Sequence, residues 1–318
     1  VIARRALLAT MAPPGLARAQ TRMLRVGSLH LAPWTAPHHV AFRAALARAG
    51  LVEGQTLDLD PAGHGLRREQ FEAHAEARVR EGIQLFHVSG DPAIRAALAA
   101  SRSVAVLALT DDMVRSGLAA SYAQPGGMIT GVSILGAQLD RKRLELLLAL
   151  VPEARRILAL GDALLTGPAQ VEAQREAAAQ RGVALSVTLV RRPEEIAPAL
   201  EAAKAAGAEA VNVLATPLLF NNRQILFERM AALRLPAIYQ WPDMAREGGL
   251  AAYGPNIVQL YREQMAPMAA RLLRGAPPAS LPIEQPTRFE LVLNLRTARS
   301  LGLAPPPPLL AQAEEVIE

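Results

Sequence analysis

Six histidines and no cysteine bound the chemistry open to this 318-residue chain. His30, His38, His39, His64, His74 and His87 all lie in its first third. Their spacing fits no metal-binding helix: adjacent residues such as His38 and His39 face apart on a helix, and no His-Glu-x-x-His run occurs. Without cysteine there is no thiol nucleophile, disulfide, Cys-based zinc site or iron–sulfur cluster. The sequence also lacks a Gly-x-Ser-x-Gly elbow and a Gly-x-x-x-x-Gly-Lys phosphate loop, and Gly63-His64-Gly65 lacks the third glycine of a dinucleotide fingerprint. The expectation is no catalytic residue, no metal and no cofactor, hence a protein that is not an enzyme.

What remains are small, polar and aromatic groups that follow short apolar runs. In open parallel sheets ligands bind beyond the carboxyl ends of the strands, so these groups are the binding candidates. They are His30 and Trp34 after the run 23–28, Ser89, Gly90 and Asp91 after 84–88, and Asp111 and Asp112 after 104–109. Further on come Asp162 and Thr166 after 157–160, Thr216 after 210–214, and Tyr239 and Trp241 at the end of 237–239. Asp111 or Asp112 would pair with a ligand ammonium. Ser89 and the amides opening the helix at Pro92 would hold a carboxylate. Trp34 would cover an apolar part, and Asp162 and Thr216 would reach in from the other half. Each group also has a plainer role open to it: Ser89 or Asp91 as a helix cap, Asp111-Asp112 as a solvated turn, and Trp34, Tyr239 and Trp241 as packing.

The elements that must position these groups alternate. The apolar runs 23–28, 56–59, 84–88, 104–109 and 129–134 are separated by helical stretches such as 37–49, 67–80 and 92–100. The scheme repeats with strands at 157–160, 184–189, 210–214 and 237–239 and helices at 168–180, 193–206 and 222–233. Strands alternating with helices of 10–15 residues imply βαβ units, and strands apolar throughout imply helices on both faces. The expected fold class is α/β, two Rossmann-like lobes with parallel sheets. The N-terminal lobe is expected over 22–130 plus about 254–284, and the C-terminal lobe over 131–253 plus about 285–318. One long helix is expected at 257–274, and the proline-marked chain after it would cross back between the lobes and help form a hinge.

Residues 1–19 read as a secretory signal, with Arg4-Arg5 ahead of a short apolar stretch and Ala17-Arg18-Ala19 as a cleavage motif before Gln20. The paired arginines leave both the Sec and the twin-arginine routes open. Cleavage after Ala19 would remove three arginines and no acid, so most of the net charge of +5 belongs to the leader. Only Lys142 and Lys204 are lysines among the 34 basic residues, and the arginines form no stripe with interleaved aromatics. With aromatic residues at 4%, a base-stacking surface is not expected, and nucleic acid is excluded as a partner. No run reaches the ~18–20 apolar residues of a membrane-spanning helix.

Several stretches, in order, resemble one family. They are Gly50-Leu51-Val52-Glu53-Gly54-Gln55, Gln124-Pro125-Gly126-Gly127-Met128-Ile129-Thr130-Gly131-Val132 and Lys142-Arg143-Leu144-Glu145-Leu146-Leu147. Pro236-Ala237-Ile238-Tyr239, Gly248-Gly249-Leu250, Gln285-Pro286-Thr287-Arg288-Phe289-Glu290-Leu291-Val292 and Ala311-Gln312-Ala313-Glu314-Glu315-Val316-Ile317 follow. Together they look like the ABC-transporter substrate-binding proteins of the tryptophan/tyrosine-type group. Asp112-Met113-Val114, Asp162-Ala163 and Thr216-Pro217-Leu218 depart from that group's pattern at the expected cleft. The resemblance implies a periplasmic-binding-protein type I architecture with three interlobe crossings, export to the periplasm, and hinge closure on a small amino-acid-like solute, aromatic ones included. The implied partners are that small-molecule ligand and the permease and ATPase of a cognate importer, with the protein itself a monomer. The alternative is a ligand-sensing module of the same fold not coupled to transport.

Overall fold

The computed structural model describes residues 23–318, so the leader expected over 1–19 lies outside the described residues. The first lobe is laid down by β1 (Leu24–Leu29), α1 (Pro37–Arg48), β2 (Leu57–Asp58), α2 (Phe71–Arg80), β3 (Leu85–Ser89), α3 (Asp91–Ala100), β4 (Ala105–Thr110) and β5 (Ile129–Ser133). Its sheet has the order β2-β1-β3-β4-β5, every pair parallel. The second lobe follows with α4 (Gly136–Leu150), β6 (Arg156–Asp162), α5 (Pro168–Ala179), β7 (Ala184–Val190), α6 (Ile196–Ala205) and β8 (Ala210–Val213). It continues through α7 (Pro217–Asn221), α8 (Arg223–Ala232), β9 (Ala237–Tyr239), α9 (Pro242–Arg246) and β10 (Ala251–Gly254). The chain then returns to the first lobe as α10 (Ile257–Leu260), a π-helical turn over Tyr261–Met265 and α11 (Ala266–Leu273), which pack on α1 and the first sheet. Finally β11 (Glu290–Asn294), α12 (Leu295–Leu301), α13 (Pro307–Gln312) and β12 (Glu315–Ile317) complete a second sheet of order β12-β11-β10-β9-β8-β6-β7. In it β11 runs antiparallel to β10 and the other pairs are parallel.

Burial follows from this layering. Every residue of β4 and β5 is buried because helices cover both faces. The edge strand β7 differs from the expectation of a wholly apolar interior: its residues alternate in exposure and Leu189 is open to solvent. One apolar cluster runs from Leu107 and Leu109 of β4 through α10 and α11 to Leu158 and Leu160 of β6, so the core is continuous across the lobes. No described helix is long and apolar enough to cross a membrane.

Three crossings join the lobes: after β5, after β10, and after Glu284, which bridges Val132 before the chain leaves for β11. The expected boundary at 130/131 falls inside β5, which pairs with β4 along its whole length, so the first crossing follows Ser133. There Leu135, a non-glycine residue at φ 52°, turns the chain into α4 while its amide donates to the Asp111 carbonyl at 2.9 Å. Arg143 holds two crossings together. Its guanidinium is buried, pairs with Asp140, and donates to the carbonyls of Gly136 (3.1 Å) and Tyr253 (3.0 Å). The expected helix 257–274 is present but widened at its middle. Pro267 has no N–H to return to the Glu263 carbonyl, and such a missing bond favours a π turn.

Gly131 has the tightest backbone position in β5. At φ 146°, a Cβ there would sit 1.8 Å from the Ala108 carbonyl oxygen of the paired strand. Gly131→Ala is expected to destabilise the fold by about 2–4 kcal/mol through strand displacement and strain. Urea unfolding measures this, and an unchanged midpoint would contradict the close approach of β4 and β5.

Candidate functional site

The carboxyl ends of the two sheets face each other across one cavity of about 310 Å³. Ser89, Gly90 and Asp91 enter from the end of β3, and Thr110 and Asp111 from the end of β4. Opposite them stand Leu165 and the residues Gly167 to Gln170 at the start of α5, Thr216 and Pro217 at the start of α7, and Phe220 and Trp241. His38 of α1 and Ile257 and Tyr261 of the returning helix close the back.

Local chain geometry explains why these groups arrive here. Gly90 takes φ 84°, a left-handed turn that swings the chain from β3 straight into α3 and sets Asp91 at the first helical position. A Cβ on Gly90 would stand 3.7 Å from Pro217 of the other lobe, so the lobes meet at this point. The Thr110 hydroxyl donates to the Asp91 carboxylate, and Arg115 pairs with Asp111 at 2.8 Å near the rim. Thr216 caps α7, accepting from the Leu219 amide at 3.3 Å, while its carbonyl accepts from Gln240 at 3.1 Å. Gln170 donates to Asp140 at 2.6 Å, which ties the cavity wall to the Arg143 network joining two crossings. The aromatic side is built by Phe220, edge-on to Trp241 with centroids 6.1 Å apart, and by Tyr261, 4.8 Å from the His38 ring. The wall thus combines two carboxylates, one guanidinium and the starts of α3, α5 and α7 with a largely apolar, aromatic remainder, the makeup of a small-molecule pocket.

A family model described as ABC transporter substrate binding protein matches residues 42–317. The chain belongs to that family. No curated protein matches it in sequence. Among solved structures it is similar to an ABC domain from Streptococcus pneumonia in complex with L-Trp (22% identity, TM-score 0.83, 93% of this chain and 100% of that one). It is similar to a conserved domain protein from Vibrio cholerae O1 biovar El Tor (20%, 0.84, 93% and 100%). A ligand-free, open substrate binding protein with adhesive properties from Clostridium difficile also matches (20%, 0.64, 93% and 99%). Two parallel-sheet lobes of the periplasmic-binding-protein type I kind are the shared fold.

Of the groups singled out in the sequence of this substrate-binding protein, Ser89, Gly90, Asp91, Asp111, Thr216 and Trp241 line the cavity. The other six stand outside its wall. Asp112 turns inward, accepting from the amides of Val114 (3.1 Å) and Arg115 (3.0 Å) and from the Tyr122 hydroxyl (2.7 Å). Asp162 is fully buried and ion-paired with Arg68 of the opposite lobe, and Thr166 accepts from its amide at 3.2 Å. Tyr239 is core, packed on Phe227. Trp34 lies beneath the Arg43 guanidinium at 3.8 Å, and His30 sits one layer behind the wall, bonded to Ser89 at 3.0 Å. His38, Arg115, Gln170, Phe220 and Tyr261 line the cavity without having been singled out. Arg115 carried a signal, four residues after Asp111. The others depend on helix packing between distant segments, which no local pattern encodes.

In the wall and behind it, five histidines, His30, His38, His39, His64 and His87, are held neutral. Burial and then the neighbouring cationic groups depress His38 to about 4. His64 also falls to about 4, through burial first, with the Asp60 carboxylate opposing it. Burial and the adjacent imidazoles push His30, His39 and His87 below the usual histidine range. In the unfolded chain these groups protonate near pH 6.5, so acidification makes the unfolded state bind more protons than the folded one. Their stabilising effect is complete above about pH 6.5 and is lost as pH falls toward 4. Melting temperature is therefore expected to drop between pH 7 and pH 5, with protons taken up on unfolding. A melting temperature flat across that range would contradict neutral burial.

Proposed function

We propose that this protein is exported, captures one amino-acid-like solute with an aromatic or large apolar side chain, and delivers it to the permease and ATPase of an importer without chemical change. The observation that carries this reading is the cavity itself, walled by both lobes and at the small end of the ligand-pocket range. The family membership supports transport, and the L-Trp held by one structural neighbour supports an aromatic amino acid. The closer overlap with that complex than with the open, ligand-free neighbour accords with a closed arrangement here.

Charge orients the solute. Helix α3 begins with Asp91, whose negative charge offsets the positive helix start, whereas the first turn of α5 has no acid. The ammonium group therefore belongs beside Asp91 in the first lobe, and the carboxylate at the start of α5 in the second. This reverses the carboxylate placement expected from Ser89 and the α3 amides. Phe220, Trp241 and Tyr261 receive the side chain. A zwitterion so placed bridges the lobes and biases them toward closure.

A thermal-shift screen of amino acids, dipeptides, organic acids and nucleosides should single out an amino acid. For the amino acid found, Asp91→Asn should weaken binding about 30-fold, the equivalent of about 2 kcal/mol for a desolvated charge contact. Isothermal calorimetry measures it. Equal affinity in wild type and variant, or a preferred solute with no cationic group, would overturn the assignment.

A further inference from the structure

Behind the solute cavity lies a cluster that binding the solute does not use. His30 ends β1, His39 lies in the first turn of α1, and His64 follows a short turn over Pro61–Gly63. The fold brings one ring nitrogen of each to within 4.8 Å of the others. The ring centroids of His39 stand 4.4 Å from those of His30 and 4.3 Å from those of His64. None of the three lines the solute cavity. Neither ring nitrogen of the buried His39 has a hydrogen-bond partner among the described residues, and Nδ1 of His64 has none either. A neutral imidazole buried with both nitrogens unanswered costs free energy that a ligand would recover.

We propose that His30, His39 and His64 form a binding site for a late first-row divalent cation, Zn²⁺, Cu²⁺ or Ni²⁺. The donor set decides the class of ion. Three imidazoles with neither thiolate nor carboxylate suit borderline metals, while Mg²⁺ and Ca²⁺ require oxygen ligands. Depressed protonation keeps the nitrogen lone pairs available at neutral pH. Metal–nitrogen bonds of about 2.0–2.1 Å set nitrogens about 3.3 Å apart in tetrahedral geometry, so binding an ion requires the rings to draw their nitrogens in from the present spread of up to 4.8 Å. His30 comes with outer partners: Nδ1 meets Ser89 Oγ at 3.0 Å and Nε2 meets His87 Nδ1 at 3.2 Å, and ligation through one nitrogen keeps the other bond to fix the ring. His64, the most accessible of the three, marks the approach. The expectation of no metal rested on motif spacing, whereas these ligands come from three separated segments and match no fixed spacing.

The test uses tag-free, chelator-stripped protein. Calorimetry with ZnCl₂ should show one equivalent bound, and affinity should fall at least tenfold in His39→Gln and in His64→Gln. Cu²⁺ added to the wild type should give an electron paramagnetic resonance spectrum with nitrogen hyperfine splitting. His64 is only partly buried, so its variant tests the site even where His39→Gln fails to fold. No binding of Zn²⁺, Ni²⁺ or Cu²⁺ by the wild type, undiminished binding in His64→Gln, or an oxygen-only copper spectrum would overturn the proposal.

Discussion

A carboxylate taken fully out of water must be answered by a charge, and Asp162 finds that charge across the cleft. It ends β6 in the second lobe with no exposed side-chain surface, while its partner Arg68 stands just ahead of α2 in the first. The Leu164 amide at 2.9 Å answers Asp162 from its own lobe, and Arg68 brings the positive charge from the other. Separating the lobes exposes both ions to water. Keeping them together requires the geometry in which the solute cavity exists. The ion pair therefore holds the lobes at the approach in which the cavity exists.

Three crossings join the lobes, and a second buried ion pair holds two of them together. Arg143 grips the carbonyls of Gly136 and Tyr253, one from each of two crossings, while Asp140 receives Gln170 from the cavity wall. A change at the wall therefore reaches the crossings through hydrogen bonds whose loss leaves buried charge unsatisfied. The apolar core supports this, running unbroken through α10 and α11 rather than stopping at the lobe boundary.

The alternation of strands and helices made both lobes legible in the sequence, because doubly covered strands such as β4 must be apolar at every position. The candidate site was legible where it lies at strand ends, as with Ser89, Asp91, Asp111 and Thr216. It was illegible where strand-end residues turn away. Asp112 is consumed by the amides after it, and Asp162 by Arg68, a residue 94 positions distant. Tyr261 reaches the cavity from a helix that belongs by sequence to neither sheet, and its placement is set by packing on α1. The histidine cluster shows the same limit, since its members meet only in the folded lobe.

The most direct test of the two-lobed receptor is the distance between the lobes with and without solute. Spin labels on exposed positions of α2 and α6, read by pulsed dipolar spectroscopy, should report a mixture of separations in the solute-free protein. One short separation should remain once an equimolar solute from the thermal-shift screen is added. A distance distribution unchanged by a solute that demonstrably binds would contradict capture by closure.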